Sequence, residues 1–168
     1  MQDNIKLATR ESPLALRQAN IVKDYLLDNN VFSKIDIVAM STSGDRADNE
    51  TFKRNGGKGL FLKELENALI EGKAHIAVHS MKDMPTELPN KLEISVFLER
   101  EDPRDSFISD EYKSIEKLPP GSVVGTSSLR RKAQLLAFRP DIKVIEFRGN
   151  VQTRLRKLRE KIADATFL

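Results

Sequence analysis

The chain has 168 residues, room for one ordinary domain or two small ones, and its 28 Lys and Arg against 25 Asp and Glu leave a formal charge of +3. With 39% apolar and 32% charged residues it has the balance of a globular protein rather than a disordered one, and no apolar run approaches the ~18 residues of a membrane-spanning helix. The absence of cysteine excludes disulfides, cysteine-ligated metals and thiol nucleophiles, and it suits a reducing cytoplasm.

Residues 5–9 read as a strand. Ser12 followed by Pro13 then offers an N-cap and a proline at the first helical position, and Ala15, Ala19, Val22 and Leu26 continue at helical spacing as far as Asn29 and Asn30. Residues 35–40 form the next expected strand. Residues 41–58 are polar, charged and glycine-containing, a length at which a loop is usually a functional lid or disordered. Leu62, Leu65, Ala68 and Leu69 mark a second helix, and residues 75–79 and 92–98 read as strands separated by turns at Pro85 and Pro89.

The stretch from Glu99 to Asp105 is charged and carries Pro103, which suits a hinge and divides the chain into domain 1 (1–98) and domain 2 (99–168). Val123 and Val124 lead through Gly125-Thr126-Ser127-Ser128 into a helix bearing Leu129, Ala133 and Leu136. Residues 143–147 are a strand, and Val151, Leu155, Leu158 and Ile162 mark a helix. Residues 163–168 look like the first half of a buried strand with no turn after it, so the chain reads as a fragment whose second domain is incomplete. Strands alternating with helices imply βαβ units, a mostly parallel sheet and ligands at the carboxyl ends of strands; two such units at a hinge suggest a cleft between lobes.

Basic residues recur at these strand ends and helix starts: Arg10, Lys82, Arg130, Arg131, Arg148 and Arg154. A helix N-terminus is already partly positive, so an added cation there costs up to ~1 kcal/mol unless an anion is held. Guanidinium forks bind carboxylates and phosphates in a bidentate way that lysine cannot copy. Any one arginine has a plainer explanation as a solvated surface charge, but five at strand-to-helix junctions point together to an anion cleft. Asp83, at an expected strand end among cations, is either a carboxylate that stabilises a developing cation or a cap for the turn before Pro85. His75 and His79 would stand ~13 Å apart on a strand and cannot share one metal, so no metal site is expected. Gly56-Gly57-Lys58-Gly59 matches a phosphate loop only loosely, because glycine follows the lysine. The basic C-terminal stretch lacks the interleaved aromatics of a single-strand nucleic-acid binder.

Several long motifs resemble the porphobilinogen deaminase (hydroxymethylbilane synthase) family. They are Ala8-Thr9-Arg10-Glu11-Ser12-Pro13-Leu14-Ala15, Gly56-Gly57-Lys58-Gly59-Leu60-Phe61, His79-Ser80-Met81-Lys82-Asp83-Met84-Pro85, Arg100-Glu101-Asp102-Pro103-Arg104-Asp105, Gly125-Thr126-Ser127-Ser128-Leu129-Arg130-Arg131 and Phe147-Arg148-Gly149-Asn150-Val151. The resemblance implies an α/β fold of two domains like type II periplasmic binding proteins with an active cleft between them. By that resemblance the second domain is expected to be incomplete in this chain and a third to lie outside it. It implies a cytoplasmic transferase, monomeric when full length, that joins four porphobilinogen units head to tail into hydroxymethylbilane with release of ammonia.

By the same resemblance, Arg10, Ser12, Lys82, Thr126, Ser127, Ser128, Arg130, Arg131, Arg148 and Arg154 hold pyrrole acetates and propionates. Asp83 is the catalytic aspartate beside the pyrrole nitrogens, and Lys58 and Phe61 edge a mobile active-site loop. A covalent dipyrromethane cofactor is expected on a cysteine of the third domain, which this cysteine-free chain lacks, so the 168-residue chain alone is expected to be inactive. The competing reading is a non-catalytic anion-binding module on the same scaffold; neither a nucleic-acid nor a membrane partner is expected.

Overall fold

A computed structural model describes residues 4–46 and 62–168, the side chains of residues 45 and 46 excepted. The chain folds as two compact units, Met1–Phe97 and Leu98–Leu168.

In the first unit the order is β1 (Asn4–Arg10), α1 (Pro13–Asp28), β2 (Lys34–Met40), α2 (Ser43–Arg46), α3 (Lys63–Ile70), β3 (Ile76–Ala77) and a 3-10 turn at Met81–Asp83. The sheet is parallel with β1 in the middle, in the order β2-β1-β3. Alternation along β1 sends Ile5 and Leu7 into a cluster with Ala19 of α1 and Ile35 of β2, while Ala8 packs against Leu65 and Ala68 of α3 and Ala74. Both faces of the strand are therefore covered, as in parallel sheets generally. The buried Thr9 hydroxyl donates to the carbonyl of Ala15 at 3.2 Å. Helix α1 begins as the sequence predicts: Ser12 Oγ accepts the Ala15 N–H at 3.3 Å with Pro13 in the first turn, and Asn29 closes the far end.

The second unit runs β4 (Phe107–Ile108), a 3-10 turn (Ile115–Lys117), β5 (Val123–Gly125), α4 (Leu129–Phe138), β6 (Lys143–Ile145), α5 (Val151–Arg159) and β7 (Ala165–Phe167). Its sheet has the order β4-β7-β5-β6, with β5 parallel to both neighbours and β4 antiparallel to β7. Leu118, Val124, Leu135, Ile142 and Ala165 form the core. Ala165 and Thr166 are fully buried, and the Thr166 hydroxyl donates to the Gly125 carbonyl at 2.8 Å. Asp164 clasps the start of β5, its carboxylate accepting the Val123 N–H at 2.7 Å. The chain is thus α/β with parallel and mixed sheets, and no helix among the described residues is long and apolar enough to cross a membrane.

Several expectations need correction. Residues 92–98 form no strand; they run irregularly with Val96 73% and Phe97 67% exposed. Their alternation suits a strand, but a strand exists only when a neighbour supplies the ladder, and these residues join neither sheet of the described residues. The strand expected at 75–79 shortens to Ile76–Ala77, and that at 143–147 stops at Ile145, because the Phe147 N–H turns to the Ser127 hydroxyl at 2.9 Å. The segment expected to be loop from residue 41 contains the one-turn helix α2, whose first residue Ser43 donates its N–H at 2.7 Å, and its hydroxyl, to the Glu64 carboxylate. Lys58, Phe61 and most of the expected lid lie outside the described residues.

Gly125, at the end of β5, has the Phe147 ring so close that a Cβ built there would stand 2.4 Å from it. Gly125→Ala is expected to destabilise the second unit by about 1–3 kcal/mol through overpacking. Gly121→Ala meets no atom within 4 Å and bears only the strain of its φ of +81°, on the order of 1 kcal/mol. Urea unfolding of the two variants should rank them in that order.

Candidate functional site

In the first unit, β1 delivers Arg10 to the strand end, and the Glu11 N–H still pairs with the Met40 carbonyl at 3.1 Å. Ser12 caps α1 by accepting the Ala15 N–H with its hydroxyl oxygen. Beyond β3 the chain tightens into the Met81–Asp83 turn, where the Asp83 N–H donates to the Ser80 carbonyl at 2.9 Å. The Ser80 hydroxyl bonds Gln18 Oε1 at 3.0 Å, tying this turn to α1. Lys82 is exposed and Asp83 half-buried. His79 feels both Asp83 and Arg10: burial holds its pKa below 6.5, the Asp83 charge opposes that shift, and the Arg10 charge adds to it. Arg10, His79 and Asp83 therefore share one neighbourhood. His75 is elsewhere engaged, its Nδ1 accepting the Lys6 N–H at 3.0 Å.

The second unit builds its site from two strand-to-helix junctions. After β5, Thr126 Oγ1 accepts the Ser128 N–H at 3.2 Å, Ser127 Oγ accepts the Phe147 N–H, and Ser128 Oγ caps α4 by accepting the Arg131 N–H at 3.3 Å. After β6, Gly149 turns with φ of +122° and Asn150 Oδ1 caps α5 by accepting the Thr153 N–H at 2.8 Å. These caps place Arg130 and Arg131 in the first turn of α4 and Arg154 near the start of α5.

Cations in those positions oppose the helix dipole, and Asp105 answers two of them. Its Oδ1 accepts from Arg130 Nη2 at 3.0 Å and Arg131 Nη2 at 2.9 Å, while Arg130 Nη1 lies 2.8 Å from Oδ2. The hydrogen bonds from Arg130 and then Arg131 hold the Asp105 carboxyl down to about 2. Arg131 Nη1 also donates to the Phe167 carbonyl at 2.8 Å, and Arg154 Nη1 reaches the same oxygen at 3.4 Å. The Nε atoms of both Arg131 and Arg154 are buried with no hydrogen-bond partner. Burial first, and then the neighbouring Arg131 charge, pull the Arg154 pKa below its ordinary value. A groove of about 270 Å³ is lined by Asp105, Arg131, Gln134 and the apolar Leu135, Phe138 and Phe167.

Three guanidiniums thus gather around one carboxylate and one carbonyl. Arg148 pairs with Glu146, its Nε and Nη2 both lying 3.1 Å from Oε1. Asp105 shows in the sequence only as part of the charged 99–105 stretch and one motif; Lys157 carries no signal of its own there, yet it donates to the Arg148 carbonyl at 3.0 Å and stands 5.7 Å from the Phe147 ring centre. An aspartate 25 residues ahead of an arginine pair carries no local signal, because the contact is made by the fold.

Residues 5–168 match a family model described as "Porphobilinogen deaminase, dipyromethane cofactor binding domain". The chain belongs to the porphobilinogen deaminase family. It is 52% identical over 169 residues to the porphobilinogen deaminase of Paracoccus denitrificans (strain Pd 1222), an alignment covering 99% of this chain. The chain spans 54% of the length of that porphobilinogen deaminase.

The shared neighbourhood of Arg10, His79 and Asp83 is testable by NMR titration of the His79 ring. Its midpoint should fall below 6.5, move lower still in Asp83→Asn and rise in Arg10→Gln. Because the folded-state pKa is depressed, the folded protein resists protonation, so the stability tied to neutral His79 is lost as pH falls below 6.5. His79→Gln should flatten that part of the stability-pH curve.

Proposed function

We propose that this chain supplies the carboxylate-binding and catalytic residues of a hydroxymethylbilane synthase. That transferase condenses four porphobilinogen units head to tail into hydroxymethylbilane, with release of ammonia, in tetrapyrrole biosynthesis leading to haem and chlorophyll. The observation that carries the reading is the excess of guanidinium over carboxylate around Phe167, with buried donors on Arg131 and Arg154 that make no hydrogen bond. A buried donor without a partner costs about 1–3 kcal/mol, which an incoming acid group offsets. Each pyrrole of the substrate brings an acetate and a propionate, so a growing chain suits a site rich in fixed arginines.

The dipyrromethane cofactor fits the same donors: its acid groups match Arg130, Arg131 and Arg154, with hydroxyls of Thr126, Ser127 and Ser128 at the adjoining helix start. When bound, it supplies the pyrrole primer on which the product is extended. Its expected attachment residue, a cysteine, does not occur in this chain. Arg10, Ser12 and Lys82 are proposed to contribute further carboxylate contacts, and Arg148 does so by exchanging its Glu146 partner for the ligand. Asp83 is the proposed catalytic carboxylate: an anion near the pyrrole nitrogens stabilises positive charge as ammonia departs and can hold a pyrrole N–H proton. In the longer protein the two units would be the paired lobes of a fold like type II periplasmic binding proteins, domain 1 and part of domain 2, acting as a cytoplasmic monomer.

In a full-length protein carrying this segment, Asp83→Ala should lower turnover by more than ~100-fold with substrate affinity largely kept. Arg131→Gln should weaken substrate binding tenfold or more, the loss of one charge-assisted hydrogen bond. A protein that binds porphobilinogen but shows no turnover before mutation would instead be a non-catalytic anion-binding module. The 168-residue chain alone, incubated with porphobilinogen, should give no covalent dipyrromethane in an aldehyde colour test; colour would overturn the assignment of the anchor to a missing cysteine.

A further inference from the structure

We propose that Asp105 is a resident carboxylate which a ligand's acid group displaces from Arg130, so that this side chain governs which anions the arginine cluster accepts. The inference rests on the carboxylate-binding reading of the cluster and extends it to a residue outside that set. The Asp105–Arg130 contact already has the two-pronged form that a ligand carboxylate would take, with Nη2 to Oδ1 at 3.0 Å and Nη1 to Oδ2 at 2.8 Å. The two halves of the Asp105 contact differ in exposure. Arg130 is 59% exposed in its side chain, whereas Arg131 is 19% exposed and anchored to the Phe167 carbonyl at 2.8 Å. An arriving anion meets Arg130 first and can take its fork while Asp105 keeps its bond to Arg131.

Being tethered, Asp105 competes at a high effective concentration against every anion in solution. A simple anion that only replaces it gains little. A ligand with two or more acid groups can replace it at Arg130 and also reach donors of Arg154, which Asp105 does not contact in this structure. Asp105 therefore selects polycarboxylates over single small anions. The groups facing it are Arg130 and Arg131 of α4, with the Arg154 guanidinium of α5 sharing the Phe167 carbonyl with Arg131.

The test titrates the chain, followed by NMR, with sulfate as a simple anion and with porphobilinogen as a dicarboxylate. Asp105→Asn should bind sulfate roughly fivefold more tightly, since one opposing charge is removed near the surface. Asp105→Glu should return sulfate affinity to near the unaltered value. Unchanged or weaker sulfate binding by Asp105→Asn would overturn the proposal and leave Asp105 as a structural partner of Arg131. If that variant does not fold, the unaltered chain decides: saturating sulfate should move the Asp105 carboxyl midpoint up from about 2, and an unmoved midpoint overturns the proposal. Failure of porphobilinogen to bind, with the sulfate results as expected, would count against the functional reading while supporting the role of Asp105.

Discussion

A strand buried on both faces can carry polar side chains only near its ends, and both units are organised by that constraint. In β1, Leu7, Ala8 and Thr9 have no accessible surface, and the charged Lys6 and Arg10 stand on either side of that buried run. In β5, Val124 is fully enclosed and Gly125 is pressed by the Phe147 ring, so the hydroxyls begin at Thr126. Each strand then needs its backbone redirected within two or three residues into a helix. Ser12, Ser128 and Asn150 do this with side-chain oxygens that accept helix N–H groups. The polar chemistry of the protein is concentrated where the sheets can no longer bury it.

The junctions differ in how they handle charge. At the end of β1, Arg10 and Asp83 act on a largely buried histidine from opposite directions. At the start of α4 the cations outnumber their partners: Asp105 serves Arg130 and Arg131, and a single backbone carbonyl serves Arg131 and Arg154. Burial, and then the nearby Arg131 charge, lower the Arg154 pKa. Stability favours fewer cations there, which is consistent with the proposed negatively charged ligand.

Much of this was legible in the sequence, for reasons that vary with locality. Ser12-Pro13 and the Thr126-Ser127-Ser128 turn are local signals, and each helix starts where they place it. The basic residues at 130, 131 and 154 could be put at helix starts for the same reason, and the fold then brings Arg131 and Arg154 to the Phe167 carbonyl and Arg130 to Asp105. Residues 92–98 could not be read correctly, because a period-two pattern states how a strand would face but not whether a neighbour is there to pair with it. Asp105 was hidden likewise, since its two arginine partners lie 25 and 26 residues downstream, beyond two strands and a 3-10 turn. The long cation list also gave no hint that Arg148 would turn to Glu146, a partner two residues away.

The Phe167 carbonyl is a main-chain atom, and this gives the arginine cluster a particular kind of robustness. β7 is held on one side by β5 and on the other by β4, so its carbonyl direction is set by the ladder and not by any side chain. Substitution at position 167 can disturb the ring contact with Phe107, 5.6 Å between centres, without removing the acceptor that aims Arg131 and Arg154. A one-residue slip in the pairing of β7 would have the opposite outcome, leaving every side chain chemically intact while moving the oxygen away. Drift in amino-acid identity along β7 is therefore better tolerated by the cluster than any insertion or deletion between α5 and β7.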